Sequence, residues 1–240
     1  MNGIRSYVVR MTRMSDHQKH AYERLQGRYC IPFDPVTEQF DPDEETLDWY
    51  DLFPHRREQP DREIIMDIGF GMGRELAELA DRRRDQDFIG VEVHKPGVGK
   101  LLSELERRSL ENVRVVRYDA VQVCRYLIPR SSLTGIHLFF PDPWPKKRHH
   151  KRRLVRPGFS ELVVPLLRPG GYLYLVTDWE DYAYQMVRIL EESRDLKNLY
   201  AEDSQNRFAP PRKWRPQTAF ERKGLAKGHR IYELVYERAQ

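Results

Sequence analysis

The sequence predicts an α/β fold: a mostly parallel sheet with helices on both faces and an antiparallel strand at its C-terminal end. Three observations carry this. From residue 63 short apolar runs alternate with stretches of helical period, the pattern of successive βαβ units. A glycine turn, "DIGFGMG", stands between the first such run and the first such helix. The final "GHRIYELVYER" alternates apolar and polar side chains, as an exposed or antiparallel strand does.

The elements follow in chain order. "EIIMDIG" is a first strand, and in "GRELAELADRRR" Leu76, Leu79 and Ala80 share one face with charge on the other, as a helix covering a sheet should. "DFIGVEV", "VRVVRYDA", "GIHLFFPD" and "YLYLVTDW" are the next strands; "KPGVGKLLSELERRS", "AVQVCRYL", "FSELVVPLLRPGG" and "EDYAYQMVRILEES" are the amphipathic stretches among them. The Pro-rich "FAPPRKWRPQTAFERKGLAKG" reads as a long loop. Residues 1–60 carry scattered helical hints and are taken as a partly flexible N-terminal extension to a main domain over 61–240.

Composition bounds the function. At 240 residues, 40% hydrophobic and 32% charged, the chain suits one soluble domain with a real core. No run approaches the roughly 18 apolar residues of a membrane span, and "MNGIRSYVVRMTRMSDHQKH" lacks the apolar core of a signal peptide. The expectation is a cytoplasmic protein with no membrane partner. Cys30 and Cys124 are too few for a disulfide framework and lack metal-ligand spacing, so no role and no metal are assigned to them.

Charge is distributed unevenly. Residues 143–160 hold seven Lys or Arg and no acid, so of a formal net charge of +4 the remainder of the chain carries −3. A single cationic block on an otherwise slightly acidic protein is a directed footprint for a polyanion. Seven acids crowd between Glu38 and Asp51, a block read as a solvated arm.

Ligands of open parallel sheets lie beyond the carboxyl ends of the strands, so each apolar run is followed to where it stops. The first stops at Asp67, ahead of Gly69, Gly71 and Gly73, whose spacing lets backbone turn sharply and approach a ligand closely. The second stops at Glu92, at the distance where a carboxylate accepts ribose hydroxyls, and the third at Asp119 and Ala120. The glycine register is G-x-G-x-G rather than the G-x-G-x-x-G that seats a pyrophosphate. Acids around it suit a cofactor bearing an ammonium and an adenine amine and no phosphate: S-adenosylmethionine rather than NAD.

The fourth run ends in Pro141-Asp142-Pro143-Trp144, followed by Lys146, Lys147, Arg148, His149, His150, Lys151, Arg152 and Arg153. An aspartate between prolines forms turns readily, and cation runs are often merely solvated. Its place at a strand end, with the excess charge beside it, favours a site. Trp144 either stacks on a base or packs under the loop. His149 and His150 sit among cations that disfavour a further charge, so they are donors or bystanders rather than metal ligands.

These segments resemble the tRNA (guanine-N7)-methyltransferases. The resemblance lies in "DIGFGMG", "GVEVHKPG", "VRYDA", "HLFFPDPWPKKRHHKRRLV", "GYLYLVTDWEDYA" and "RPQTAFERKG", over residues 62–238, with "FFPDPWPKKRHHKRR" the most specific. "RSYVVRMTRMSDHQKHAYERL" is similar to the family's N-terminal segment, with Thr12 where a glycine is usual; Asp67 stands for a frequent Glu, and Ala219 for a frequent basic residue.

The resemblance implies a Rossmann-like class I methyltransferase with a mostly parallel seven-stranded sheet and an antiparallel C-terminal strand. It implies S-adenosylmethionine on Asp67, Gly69, Gly71, Gly73, Glu92, Asp119, Ala120 and Asp142, and methylation of N7 of the guanosine at position 46 in the tRNA variable loop. It further implies substrate contacts from Lys146, Asp178, Thr218, Ala219, Phe220 and Glu221, with Asp142 catalytic. Phosphate contacts are expected from Lys147, Arg148, Lys151, Arg152 and Arg153, and a monomer or homodimer as the working unit. Two rivals stay open: a methyltransferase of the same fold acting on another RNA or a protein, and a non-catalytic RNA-binding module.

Overall fold

The structure is a computed structural model that describes residues 13–33, 46–201, 207–212 and 214–239. The segment around Thr12 and most of the acidic block, residues 38–45, lie outside the described residues.

Seven strands form one sheet in the order β3-β2-β1-β4-β5-β7-β6. They are β1 (Ile64–Ile68), β2 (Asp87–Val91), β3 (Val113–Val116), β4 (Leu133–Phe139), β5 (Leu167–Thr177), β6 (Leu196–Asn198) and β7 (Tyr232–Arg238). The first five are parallel, and β7 runs antiparallel between β5 and β6. β1 and β2 are buried at every position, as strands covered on both faces must be.

Helices lie on both faces. On one, α1 (Asp16–Tyr29), α3 (Arg74–Arg82) and α4 (Lys95–Arg107) bury Leu25, Leu76 and Leu101 against Ile65, Phe88 and Val115. On the other, α5 (Ala120–Tyr126), α6 (Phe159–Val163) and α7 (Glu180–Glu191) bury Val123, Phe159, Tyr182 and Met186 against Met66, Ile136, Leu173 and Leu175. The expected α/β architecture is therefore present, with its one antiparallel strand, β7, near the C-terminal end of the chain.

Within the expected extension, α1 starts at a Ser15–Gln18 capping box and lies along α4, ion-paired through Arg24–Glu106. A short helix, α2 (Trp49–Leu52), follows, and the next turn presents His55 and Arg56, which with Arg62 surround the buried Asp87 at the start of β2.

One expectation is corrected. The stretch read as a long loop contains a helix, α8 (Ala219–Ala226). It starts where Thr218 accepts from the Glu221 amide and Glu221 accepts from the Thr218 amide, a capping box that T-x-x-E announces even among prolines.

Candidate functional site at the carboxyl edge of the sheet

Register brings the strand ends into line. Ile68 lies beside Val91 and Leu138, Val91 beside Val116, and Phe139 beside Val176, so Asp67, Glu92, Asp119, Asp142 and Asp178 all occur at one edge. The chain turns one way from β1 to β2 and β3, and the other way from β4 to β5. The edge between β1 and β4 is thus the switch point where such sheets open a crevice.

The glycine turn is built for close approach. Gly69, Gly71 and Gly73 all have positive φ, at 75°, 60° and 71°, which side-chain-bearing residues adopt only at a cost. Gly97 in α4 is needed for a different reason: a Cβ there would lie 1.9 Å from the Gly71 carbonyl oxygen. Glu92 ties the turn from below. Its carboxylate accepts from the amides of Gly71 at 2.9 Å, Val93 at 2.7 Å and His94 at 2.9 Å. Asp119 caps α5, accepting from Val121 and Gln122 through the single oxygen Oδ1, with Ala120 as the first helical residue.

Asp67 is buried at the end of β1. Burial, then the neighbouring charges of Glu75 and Glu92, push its carboxyl up to about 7.

Asp142 is exposed, on a turn whose backbone is held out of the usual regions on both sides. Phe140 has φ 51° and Trp144 φ 45°, and strain of this kind persists only where surroundings enforce it. Trp144 is packed: Arg152 lies 4.9 Å over its ring and His149 meets it edge-on at 5.8 Å. Partial desolvation, then Arg148, Arg152, Lys146 and Lys151, hold His149 below its usual range. Lys146, Lys147, Arg148 and Lys151 are exposed and Arg152 half-buried.

Arg153 is corrected. It is fully buried, donating Nε to the Pro143 carbonyl at 2.8 Å, Nη1 to Gln185 at 2.6 Å and Nη2 to Asp181 at 2.6 Å, with Tyr182 beneath. A guanidinium so placed fastens the loop and does not present itself to a phosphate.

Asp178 follows β5 and accepts from His229 Nδ1 at 3.2 Å. α8 rests on it, since a Cβ at Gly224 would lie 2.9 Å from Asp178 Oδ2. Thr218 and Glu221 are buried, and both Glu221 oxygens are taken by Arg215 at 2.7 and 2.9 Å. Ala219 opens the helix and Phe220 is 64% exposed beside it. Sequence reasoning missed Gly97, Arg215 and His229. The first two lie inside or next to quoted motifs, whereas His229 is 51 residues from Asp178 and carries no local signal.

A cavity of about 300 Å³ lined by His137, Tyr172, Tyr174 and Trp214 also borders Glu63 and Gly170, toward the amino ends of β1 and β5. Of its lining, His137 is the register neighbour of Asp67 in β1.

A family profile described as "Putative methyltransferase" matches residues 61–234. A protein from Paraburkholderia xenovorans named tRNA (guanine-N(7)-)-methyltransferase is 44% identical over 98% of this chain and 83% of its own. Proteins of the same name from Alkalilimnicola ehrlichii and Thiobacillus denitrificans are each 45% identical, over 99% and 98% of this chain and 93% and 95% of theirs. The chain belongs to the tRNA (guanine-N7)-methyltransferase family. Solved structures of the 16S rRNA methyltransferase KamB (TM-score 0.54, 14% identity, 82% of this chain and 96% of that one) and of the aminoglycoside resistance methyltransferase NpmB1 (0.51, 16%, 84% and 95%) share the fold.

Proposed function

We propose that this chain methylates N7 of a guanosine in tRNA, at position 46 of the variable loop, working in the cytoplasm as a monomer or homodimer. The observation that carries the reading is the row of five acids at the switch point with the cationic loop directly beyond Asp142. The residues fit S-adenosylmethionine: Gly69 and Gly71 leave open space where a Cβ would stand, Glu92 accepts from the Gly71 amide, and Asp119 and the buried Asp67 lie at neighbouring strand ends. When bound, S-adenosylmethionine supplies a methyl on a sulfonium that accepts an electron pair. Asp67, Glu92, Asp119 and Ala120 would hold it, with Gly69, Gly71 and Gly73 giving it room.

Guanine N7 carries an in-plane lone pair and no proton at neutral pH. Its attack on such a methyl would form the N–C bond as the C–S bond broke, so no base is required to activate it, and the reading calls for no metal. What the chain must supply is alignment and counter-charge. Positive charge grows on the imidazole ring of the base, and Asp142, fixed by its strained turn, stabilises it. Asp178 accepts from the N1–H and exocyclic amine, Lys146 and the segment Thr218–Glu221 frame the base, and Lys147, Arg148, Lys151 and Arg152 hold phosphates. N7 of a folded tRNA is shielded, so the nucleotide must be locally exposed to reach this edge.

The test is incubation of recombinant protein with labelled S-adenosylmethionine and unmodified tRNA, followed by mapping of the product. Label at N7 of guanosine 46 is expected. Label on another base or RNA would turn the reading to a different methyltransferase, and tRNA binding with no transfer to a non-catalytic module.

A further inference from the structure

α8 and the turn after it carry a second cationic surface. Arg222, Lys223 and Lys227 are all exposed, and residues 222–230 contain no Asp or Glu; Arg230 instead lies over the Phe208 and Tyr232 rings on the other sheet face. Among the described residues the ion pairs of this region are Arg215–Glu221, Arg215–Glu233 and His229–Asp178, and none of them uses these three side chains. The one acid of the helix, Glu221, is buried on Arg215, so it offers no counter-charge at the surface. Among the cations stand Phe220, 64% exposed, and Leu225, 47% exposed.

The placement of this surface matters more than its charge. The Lys147–Arg152 loop is anchored through Arg153 to α7, on the sheet face that carries Leu173 and Leu175. α8 is anchored through Glu221 and Arg215 to the Tyr174 hydroxyl, and Tyr174 and Val176 belong to the cluster on the other face. Side chains alternate along β5, so the two cationic elements reach the acidic edge from opposite faces. Asp142 starts one and Asp178 lies under the other.

We propose that Arg222, Lys223 and Lys227 form the second wall of an RNA groove, opposite the Lys147–Arg152 loop, with the Phe220 ring as a stacking surface for a base. The proposal rests on the tRNA reading and extends it. A nucleotide drawn out of a folded RNA has phosphates on both its 5′ and 3′ sides, and cations on one wall hold only one of the two flanks. An exposed aromatic ring among cations is the arrangement that binds unstacked bases.

Binding of an unmodified tRNA transcript is to be measured in the full chain across roughly 50–200 mM salt, with S-adenosylhomocysteine affinity taken in parallel. For Arg222→Gln/Lys223→Gln/Lys227→Gln the slope of log affinity against log salt is expected to fall by about two, at 0.7–0.9 per lost phosphate contact. S-adenosylhomocysteine affinity should stay within about twofold, as expected where only phosphate contacts are lost. Phe220→Ala is expected to weaken tRNA about tenfold at unchanged slope, the separation of stacking from charge. Lys197→Gln, on the edge strand β6, is the surface control. A wild-type slope in the triple variant overturns the proposal, as does an equal loss in Lys197→Gln. If the triple variant does not fold, single Lys223→Gln and Lys227→Gln variants decide: each should lower the slope by roughly one, and no change in either overturns the groove. Wild-type protein that binds tRNA through this slope but methylates a different atom leaves the groove standing and removes the N7 reading.

Discussion

Asp142 and Asp67 are both strand-end carboxylates, and the structure gives them opposite surroundings. Asp142 is exposed on a strained turn, where a fixed charge can face a developing cation. Asp142→Asn is expected to lower the single-turnover rate by about 100-fold at saturating cofactor and tRNA while leaving both affinities near wild type. A near-normal rate would remove Asp142 from the chemistry.

Asp67 is buried and titrates at about 7, against 3.8 for the ordinary group. A folded-state pKa above the unfolded value means that the native state holds an extra proton between these limits. Stability is therefore fully present below about 3.8 and is lost as pH rises to 7. Urea unfolding of the ligand-free protein between pH 5 and pH 8 should show this decline, and Asp67→Asn should flatten it. An equally steep decline in Asp67→Asn would assign the slope to other groups.

Arg153 shows what a residue run conceals. Six Lys or Arg follow Trp144 within nine residues, and composition treats them alike. Burial is decided by Asp181, Gln185 and Tyr182, 28 to 32 positions away, which only the fold brings near. Arg153→Met should cost roughly 2–4 kcal/mol in denaturant unfolding, because it strands the Pro143 carbonyl and Gln185. The same variant should leave the salt dependence of tRNA binding unaltered. A lower salt slope would restore Arg153 as a phosphate contact.

At the scale of elements, the parallel strands were readable because burial on both faces demands continuous apolar runs, as in Ile64–Ile68. The glycine turn was readable because positive φ at three positions leaves little choice of residue. β6, three residues long with one exposed lysine, has no period to detect. α8 was hidden by its proline-rich approach, although Thr218 and Glu221 spell its cap. Gly97 belongs to this scale too, since it sets how closely α4 can approach the glycine turn. Gly97→Ala would put a methyl against backbone that cannot swing aside, and should destabilise by about 1–3 kcal/mol while weakening S-adenosylhomocysteine by more than tenfold. Calorimetric affinity equal to wild type would mean that the turn moves freely.

For the molecule as a whole, the acidic edge was legible as a list of strand ends, and the two-walled arrangement around it was not. The list needs only local order. The walls depend on which face of β5 each cationic element is tied to, through Arg153 to α7 and through Arg215 to Tyr174. α1 likewise gave only weak hints in sequence, because its burial arises from α4, where Gly99 makes room for the Gln18 carbonyl.

The position of β7 reaches into the life of the chain before the fold exists. Of the seven strands it comes latest in chain order, yet it lies between β5 and β6 and pairs with both. Until residues 232–238 leave the ribosome, β5 has a bare edge, β6 has nothing to join, and Tyr174 lacks its Glu233 partner. A nascent chain stalled shortly before this point would present open strand edges, the kind of surface that chaperones capture and neighbouring polypeptides extend.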